Sequence, residues 1–167
     1  MNLYIASIPV FEQMLGALSS VLAKGQAHAL AQDLDEASLL QARLAPDMFP
    51  LTRQVQIACD FAKGAAARLA GREPPAWADE EQSFAELQSR IARTLGYIGG
   101  VDAEEFLDAE SREIVLRPGT QREQRFIGRD YLLHYALPHF FFHVTTAYDI
   151  LRQQGVALGK SDYMGRS

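Results

Sequence analysis

Apolar residues recur at spacings of three and four positions along four stretches of the chain, and this periodicity predicts four long amphipathic helices. We expect these helices over residues 9 to 31, 50 to 71, 83 to 99 and 129 to 154. The first stripe consists of Phe11, Met14, Leu15, Leu18, Val21, Leu22, Gly25 and His28. Each stripe gives its helix one face to bury, and four such helices pack most simply as a bundle.

Residues with strong preferences for helix ends mark the boundaries of these stretches. Pro9 suits the first turn of the first helix, where a missing N–H costs no hydrogen bond. Ser83 and Glu86 form a capping-box pattern, in which each side chain accepts a hydrogen bond from the other residue's backbone N–H. Gly155 predicts the C-terminal end of the fourth helix. A short helical piece is expected after Asp35.

Residues 101 to 128 lack the helical spacing. The segment REIVLRPGTQREQRFIG has two short apolar runs on either side of Pro118-Gly119, a dipeptide typical of turns. It predicts a small β-hairpin directly before the last helix, and this connection is long enough for a crossover. The expected fold class is therefore all-α, a four-helix bundle with a small β-hairpin before the last helix, in a single domain over residues 1 to 167.

Composition and charge exclude several classes of protein. The chain has 167 residues, and its formal net charge of −5 lacks the basic excess that nucleic-acid binding requires. No apolar run approaches the ~20 residues of a membrane span, so we expect no membrane partner. The first residues, MNLYIASIPVF, have no basic segment typical of a secretory signal. With one cysteine, Cys59, no intramolecular disulfide can form, and these features favour a cytoplasmic protein.

Three of the four histidines lie in LLHYALPHFFFHVTTAYDILR, residues 132 to 152. His139 and His143 are one helical turn apart, about 40° around the axis, and this spacing suits two imidazoles on one metal ion. In a straight helix His134 would lie about 140° from His139 and point elsewhere. The stripe phase predicts that His143 is buried, that His139 lies nearer a rim, and that both point into the bundle. The alternative is that both histidines are structural and hydrogen-bond within an aromatic core.

Pro138 interrupts this histidine segment. It has no N–H to donate to the carbonyl of His134, and its ring clashes there, so a kink is expected near residues 134 to 138.

Three segments of the chain together resemble a bacterial family of domains of unknown function within the DinB/YfiT-like superfamily of proposed metalloenzymes. These segments are LYIASIPVFEQMLGAL, LAPDMFPLTRQVQIACDFAKGAAARLAG and ALPHFFFHVTTAYDILRQQGVALGKSDYMG. The resemblance implies a four-helix bundle with up-down-down-up connections. It also implies, for many members, a nickel, zinc or other divalent ion bound by three histidines. One histidine comes from the second helix and two come from a His-x-x-x-His on the fourth, which HFFFH supplies here as His139 and His143.

The second predicted long helix, PLTRQVQIACDFAKGAAARLAG, contains no histidine. On its core-facing side Gln54 is the nearest substitute, and His28 on the first helix is a further candidate. If a divalent ion such as zinc or nickel is the cofactor, we therefore expect His139, His143 and Gln54 as its ligands. Catalytic zinc usually has three protein ligands and a water.

Other candidates for chemistry are few. Neither GREPP nor LGKSDYMG has the spacing of a phosphate-binding loop, and both are expected to be connections. Cys59 lies in an apolar stretch and is expected to be a buried, unreactive thiol. Asp60 and Lys63 are expected to form a surface ion pair.

Two functions follow from these observations. The first is a non-catalytic or vestigial homodimer whose histidine-containing core pocket binds a small ligand or a partner. The second, by family analogy, is a divalent-metal-dependent enzyme, either a thiol-dependent transferase or hydrolase-like, that uses His139 and His143. The homodimer is expected because the last helix carries more Phe and Tyr than one bundle face can bury.

Overall fold

The computed structural model describes residues 1–165, which form four long helices with short elements between them. The long helices are α1 (Ile8–Ala31), α3 (Leu51–Leu69), α4 (Phe84–Gly99) and α6 (Leu137–Gln153). The short helices are α2 (Glu36–Leu40), α5 (Gly128–Tyr131) and α7 (Lys160–Tyr163). A two-stranded antiparallel hairpin, β1 (Glu113–Leu116) and β2 (Gln124–Ile127), precedes α5. The predicted fold class is confirmed.

Helices α3 and α4 follow each other in the chain, yet they run parallel. Gln56 near the start of α3 donates to Glu81, just ahead of α4, at 2.8 Å. One turn further along α3, Asp60 pairs with Arg90 of α4 at 3.0 Å. The order of these contacts requires the connection between the helices, which contains Pro74 and Pro75, to return along the length of α3.

The remaining helix directions complete an up-down-down-up bundle. Helix α1 is antiparallel to α4, because Ser19 bonds Gln88 while Gly25, further along α1, lies near Phe84 at the start of α4. Helix α6 is antiparallel to α3 and packs along it, as the contacts in the site below show. The diagonal pairs are α1 with α3 and α4 with α6, and each diagonal pair is joined by one of the two long connections.

The predicted apolar stripes form the core. Phe11 of α1 and Phe140 of α6 meet edge to face with ring centroids 4.9 Å apart, and both side chains are fully buried. Each such side chain contributes about 1.5–3 kcal/mol by leaving water. Of the eight residues of the first predicted stripe, seven are buried and His28 is half-buried. Among the described residues, no helix has the length and apolar character that crossing a membrane requires.

Most of the helix-end features that the sequence predicts are present in the structure. Asp35 caps α2 by accepting from the N–H of Ala37 at 3.0 Å. Ser83 accepts from the N–H of Glu86, as predicted, but the Glu86 carboxylate accepts from the N–H of Gln82 and not from that of Ser83. The C-terminal segment LGKSDYMG, expected to be a connection, contains the short helix α7.

The predicted fourth helix runs without a break from Gly128 to Gln153, but it is not α-helical throughout. It begins as α5, passes through a π-helical turn over Leu132–Ala136, and continues as α6 from Leu137. The N–H of Leu137 donates to the carbonyl of Leu132, five residues back. Pro138 follows at once, and its lack of an N–H makes the regular ladder impossible there. The hydrogen-bond ladder therefore departs from the α-helical pattern at this point, in the form of a π turn, while the kink expected near residues 134 to 138 stays a prediction.

Candidate functional site

A cavity of about 550 Å³ opens between the first half of α3 and the first half of α6. The connection before α3 forms one side of it with Asp47, Met48 and Phe49. The π turn and α6 form the opposite side with His134, Pro138, His139, Phe142 and His143, and Gln54 of α3 lies between the two sides. Most of the lining surface is apolar, with a few polar groups among it, as in many small-molecule sites.

Gln54 and His143 form the buried polar pair of the cavity. The side-chain N–H of Gln54 donates to the backbone carbonyl of Phe49 at 3.0 Å, so its amide oxygen faces α6. That oxygen lies 2.7 Å from Nδ1 of His143. An oxygen can only accept, so Nδ1 carries the proton and Nε2 is a free acceptor. Among residues 1–165 no group bonds Nε2, and the ring lines the cavity.

His143 is held in its neutral form. Its side chain is buried, with 8% of its surface exposed. Burial, together with the nearby His139 and Arg53, lowers the pKa of His143 from 6.5 to about 4. At neutral pH the ring is therefore an uncharged imidazole with a fixed tautomer, which is the form that accepts a hydrogen bond or binds a metal.

His139 lies at the rim of the cavity. Its ring stacks on Phe61 of α3 with centroids 4.6 Å apart and planes 8° from parallel, and the ring of Tyr135 packs beside both of them, 4.6 Å from His139 and 5.9 Å from Phe61. The predicted order of burial is confirmed, because His143 is buried and His139 is exposed. The His139 ring is exposed at this rim, yet it contacts Phe61 of α3 and lines the same cavity as His143.

His134 also lines this cavity, contrary to the prediction that it points elsewhere. That prediction assumed about 100° per residue along the whole segment. A π turn has wider spacing, with hydrogen bonds from i to i+5, and it brings residues five apart towards one face. His134 lies within the π turn and His139 follows five residues later, so both reach the cavity.

The residues of this site do not form the three-histidine metal centre that the resemblance implies. Among residues 1–165 no group of three or more His, Cys, Asp or Glu side chains is placed to hold a metal ion. Both polar atoms of the Gln54 amide already have protein partners. His28 lies beside Gly155, past the end of α6 and ~18 Å along the helix axis from His143, so it does not belong to the site.

A second polar cluster, which the sequence did not predict, lies on the other side of α3. Arg90 of α4 is 4% exposed and pairs with Asp60, Asp79 and Glu81 at 2.8–3.0 Å. Lys63 also pairs with Asp60, at 2.9 Å, but it is buried, so the expected surface ion pair is part of a buried network.

Cys59 and Trp77 lie next to this network. The Cys59 thiol is fully buried, and burial raises its pKa to about 12, as expected for an unreactive thiol. Trp77 lies between the charged ends of Lys63 and Arg93, each a little over 4 Å from its ring. The network fastens the proline-rich connection to α3 and α4, so we assign it to stability.

The comparisons with known proteins concern family and fold. A family model described as "Domain of unknown function (DUF1993)" matches residues 3–164. The chain is similar to a DinB family member protein from Shewanella denitrificans, whose crystal structure aligns with a TM-score of 0.91 and 41% sequence identity. The alignment covers 98% of this chain and 92% of that chain. No curated protein matches the sequence significantly.

Proposed function

The chain belongs to the DUF1993 family and shares the DinB-like helical-bundle fold, and from that premise we propose that it binds a small, largely apolar molecule in the cavity between α3 and α6. His143 is the acceptor that fixes the orientation of this molecule. We propose binding and not catalysis, because the ionisable residues among the described lining are three histidines and Asp47.

The hydrogen bond from His143 Nδ1 to Gln54 carries this proposal. A buried imidazole without a fixed partner could present either nitrogen to the cavity. Here the Phe49 carbonyl orients the Gln54 amide, and the amide orients the imidazole, so that Nε2 alone is left to accept. Preorganised acceptors inside an apolar cavity favour ligands that combine an apolar body with one hydrogen-bond donor.

A pair of matched probes tests the proposal. Phenol and toluene have nearly the same shape, but only phenol can donate to Nε2. Binding of each is measured by NMR titration of wild type and of His143→Asn, in which the Asn amide keeps an N–H for Gln54 and removes Nε2. Toluene leaves water more readily, so the informative quantity is the ratio of the two dissociation constants.

In His143→Asn we expect the dissociation constant of phenol to rise roughly fivefold relative to that of toluene. This change corresponds to the loss of about one hydrogen bond. The matched control is His139→Asn at the rim, which should leave the ratio unchanged. If neither probe binds wild type, or if the ratio is the same in His143→Asn, the proposed role of His143 is wrong.

We also propose that the chain forms a homodimer through the face around this cavity. Phe49 and Phe142 flank the cavity, and each is 55% exposed. Pro138 is exposed beside them and adds to the apolar surface. Light scattering should give the mass of two chains, and Phe142→Glu should give one. Leu107→Glu, at an exposed apolar residue elsewhere, is the control and should leave the dimer intact. A wild-type mass of one chain at micromolar concentration would refute the dimer.

A divalent metal ion is the second candidate ligand, and the same His143 geometry favours it. Metal-binding histidines commonly donate their other ring nitrogen's proton to an oxygen acceptor, and Gln54 Oε1 is such an acceptor for His143. In this alternative His143 and His139 are the ligands, and Gln54 is an orienting partner in place of the ligand expected from the sequence. Two imidazoles fall short of the three protein ligands of a catalytic zinc site, so we derive no catalytic step from a metal.

Elemental analysis of protein purified without a histidine tag separates the two candidates. Under the first proposal, wild type carries no stoichiometric zinc or nickel, and its melting temperature does not respond to a chelator. One equivalent of metal retained through dialysis by wild type, and lost in His139→Asn, would establish a metal ion as the ligand of this site.

A further inference from the structure

We propose that a second, smaller cavity, between α3 and the hairpin, is a binding site for a small oxyanion, the phosphate or carboxylate group of a ligand. This cavity has a volume of about 190 Å³. A water molecule takes ~30 Å³ in the liquid, so the space suits a group of a few heavy atoms and not a large ligand. It is separate from the histidine cavity and the proposal does not depend on the function proposed for that cavity.

Two guanidinium groups from different elements line this cavity. Arg68 comes from the last turn of α3, and Arg117 comes from the connection after β1. Among residues 1–165 neither of them forms a salt bridge, whereas Arg53, Arg72 and Arg90 each pair with at least one carboxylate. Asp60, the one carboxylate among the described lining residues, pairs with neither Arg68 nor Arg117, so a bound anion would reduce the repulsion between these two like charges.

A tyrosine hydroxyl adds a neutral donor. Arg68 Nη1 donates to the hydroxyl oxygen of Tyr131 at 3.3 Å, so the hydroxyl acts as an acceptor in that bond and its own proton remains to be donated. Tyr131 is 1% exposed and lines the cavity. Two arginines and a tyrosine hydroxyl supply charge-assisted and neutral donors of the kind that bind phosphate and carboxylate groups.

The backbone is arranged to place both arginines. A Cβ at Gly64 would lie 2.6 Å from Nη1 of Arg68, so the absence of a side chain at that position lets the guanidinium fold back along α3 towards Tyr131. Arg117 has φ of 52°, a left-handed conformation that a residue other than glycine adopts at a cost. Strained positions of this kind concentrate at binding sites.

One carboxylate, that of Asp60, also lines the cavity and brings a negative charge to it. The Asp60 Oδ1 atom accepts from Lys63 at 2.9 Å and from Arg90 at 3.0 Å. Its negative charge is therefore shared by two further cations, and it does not neutralise Arg68 or Arg117. The charged residues of the lining are therefore two arginines and one carboxylate that already has other partners, although the whole chain carries a formal net charge of −5.

Isothermal titration calorimetry of the full chain with inorganic phosphate, and separately with acetate, tests this site at constant ionic strength. Arg117→Gln is the main variant, because Arg117 is exposed and its loss should not affect folding. The matched control is Arg122→Gln, an exposed arginine of the same connection that does not line the cavity. A third variant, Gly64→Ala, displaces Arg68 without changing the charge of the protein.

We expect wild type to bind at least one of the two anions. Arg117→Gln should weaken that binding about tenfold, because it loses a charge-assisted hydrogen bond, whereas Arg122→Gln should bind like wild type. Gly64→Ala should weaken it by a smaller factor, because the added Cβ displaces the flexible end of Arg68 without removing its charge. Stronger binding of phosphate assigns the site to phosphate-bearing ligands, and stronger binding of acetate assigns it to carboxylates. No binding of either anion, or equal weakening in Arg117→Gln and Arg122→Gln, would overturn the proposal.

Discussion

Gln54 and His143 are 89 residues apart in the chain, and the 2.7 Å hydrogen bond between their side chains joins α3 to α6 at the cavity. The bond does two things at once. It satisfies a polar atom on each of two helices that are otherwise packed through apolar surface, and it fixes which imidazole nitrogen faces the cavity. Stability and binding chemistry therefore depend on the same contact, and a change at either residue should affect both.

Gln54→Met should switch the tautomer of His143. Without the amide oxygen, an N–H at Nδ1 would be buried and unpaired, so the proton should move to Nε2, which faces the cavity. We expect a loss of about 1–3 kcal/mol in the free energy of unfolding, since the Phe49 carbonyl also loses its donor. Nitrogen-15 NMR reports the tautomer, and urea denaturation reports the stability.

The control for this change is Gln88→Met, which removes a hydrogen bond to Ser19 far from the cavity. It should lower stability without altering the imidazole spectrum. An unchanged His143 spectrum in Gln54→Met would mean that Gln54 does not set the tautomer.

His143 should make the protein less stable as pH falls from 6.5 to about 4. Its pKa is about 4 in the folded chain, because the ring is buried and lies near His139 and Arg53, and it takes the ordinary value of 6.5 when unfolded. In this window the unfolded chain binds a proton that the folded chain does not. Stability therefore decreases by up to roughly 1.4 kcal/mol per pH unit, and the effect ends below the folded pKa.

Chemical denaturation of wild type and His143→Asn across this range isolates the effect. The difference in stability between the two proteins should shrink as pH decreases, because only wild type has the titrating ring. Carboxylates such as Glu105, whose pKa is lowered by its hydrogen bond to Arg72, act at lower pH and are common to both proteins. A constant difference from pH 7 to pH 4 would show that His143 titrates normally.

The sequence predicted the bundle well because burial in a helix repeats every 3.6 residues. The stripe from Phe11 to Leu22 is buried throughout, and Gly99 and the hairpin turn at Pro118-Gly119 lie where their conformational preferences place them. The same periodicity gave the relative burial of His139 and His143. Each of these predictions needed only local geometry and one apolar face.

The rest of the site depends on departures from that geometry. His134 was misplaced because the π turn changes the rotation per residue, and a proline four residues later was the only local signal of it. The side chains of Met48 and Phe49 line the cavity because the connection before α3 packs against α6, and a loop path of that kind is decided by tertiary contacts. The acidic partners of Arg90 were missed for the same reason, since Asp79 and Glu81 lie in a proline-rich connection.

Gly128→Ala should destabilise the protein strongly. A Cβ at Gly128 would lie 1.8 Å from the backbone carbonyl oxygen of Ala109, and a backbone atom cannot move aside as a flexible side chain can. The cost should be about 3 kcal/mol or more, at the upper end of overpacking effects. The variant should also loosen α5 and the hairpin, because the Gly128 N–H bonds the Arg112 carbonyl at 2.8 Å.

Gly16→Ala is the matched control for that change. Gly16 lies on the exposed side of α1 with nothing within 4 Å of an added Cβ. Alanine is the better helix former, so this variant should be more stable than wild type by about 0.5–1 kcal/mol. Thermal melting of both variants gives the comparison, and the same sign of change in both would contradict the packing at Gly128.

Arg90→Met should release the proline-rich connection from the bundle. The guanidinium bonds Asp60, Asp79, Glu81 and the carbonyl of Ala78, and no other described side chain could replace all four contacts. Removing a buried cation from its carboxylates costs about 3–5 kcal/mol, and partial exposure of Asp60 and Asp79 places the expected loss near 3 kcal/mol. The fluorescence of Trp77, the only tryptophan, reports the position of the connection.

Arg93→Met distinguishes the contribution of this ion-pair network to stability from the contribution of the contact between Arg93 and the Trp77 ring. Arg93 contacts the Trp77 ring at 4.2 Å but is exposed, and an exposed contact of this kind is worth about 0.5–1 kcal/mol. Both variants should change Trp77 fluorescence, but only Arg90→Met should expose the indole to a soluble quencher in the folded protein. The contrary outcome is that Arg90→Met lowers the free energy of unfolding no more than Arg93→Met does. That result would mean that water solvates the carboxylates without penalty, and that the packing of Trp77, and not Arg90, holds the connection.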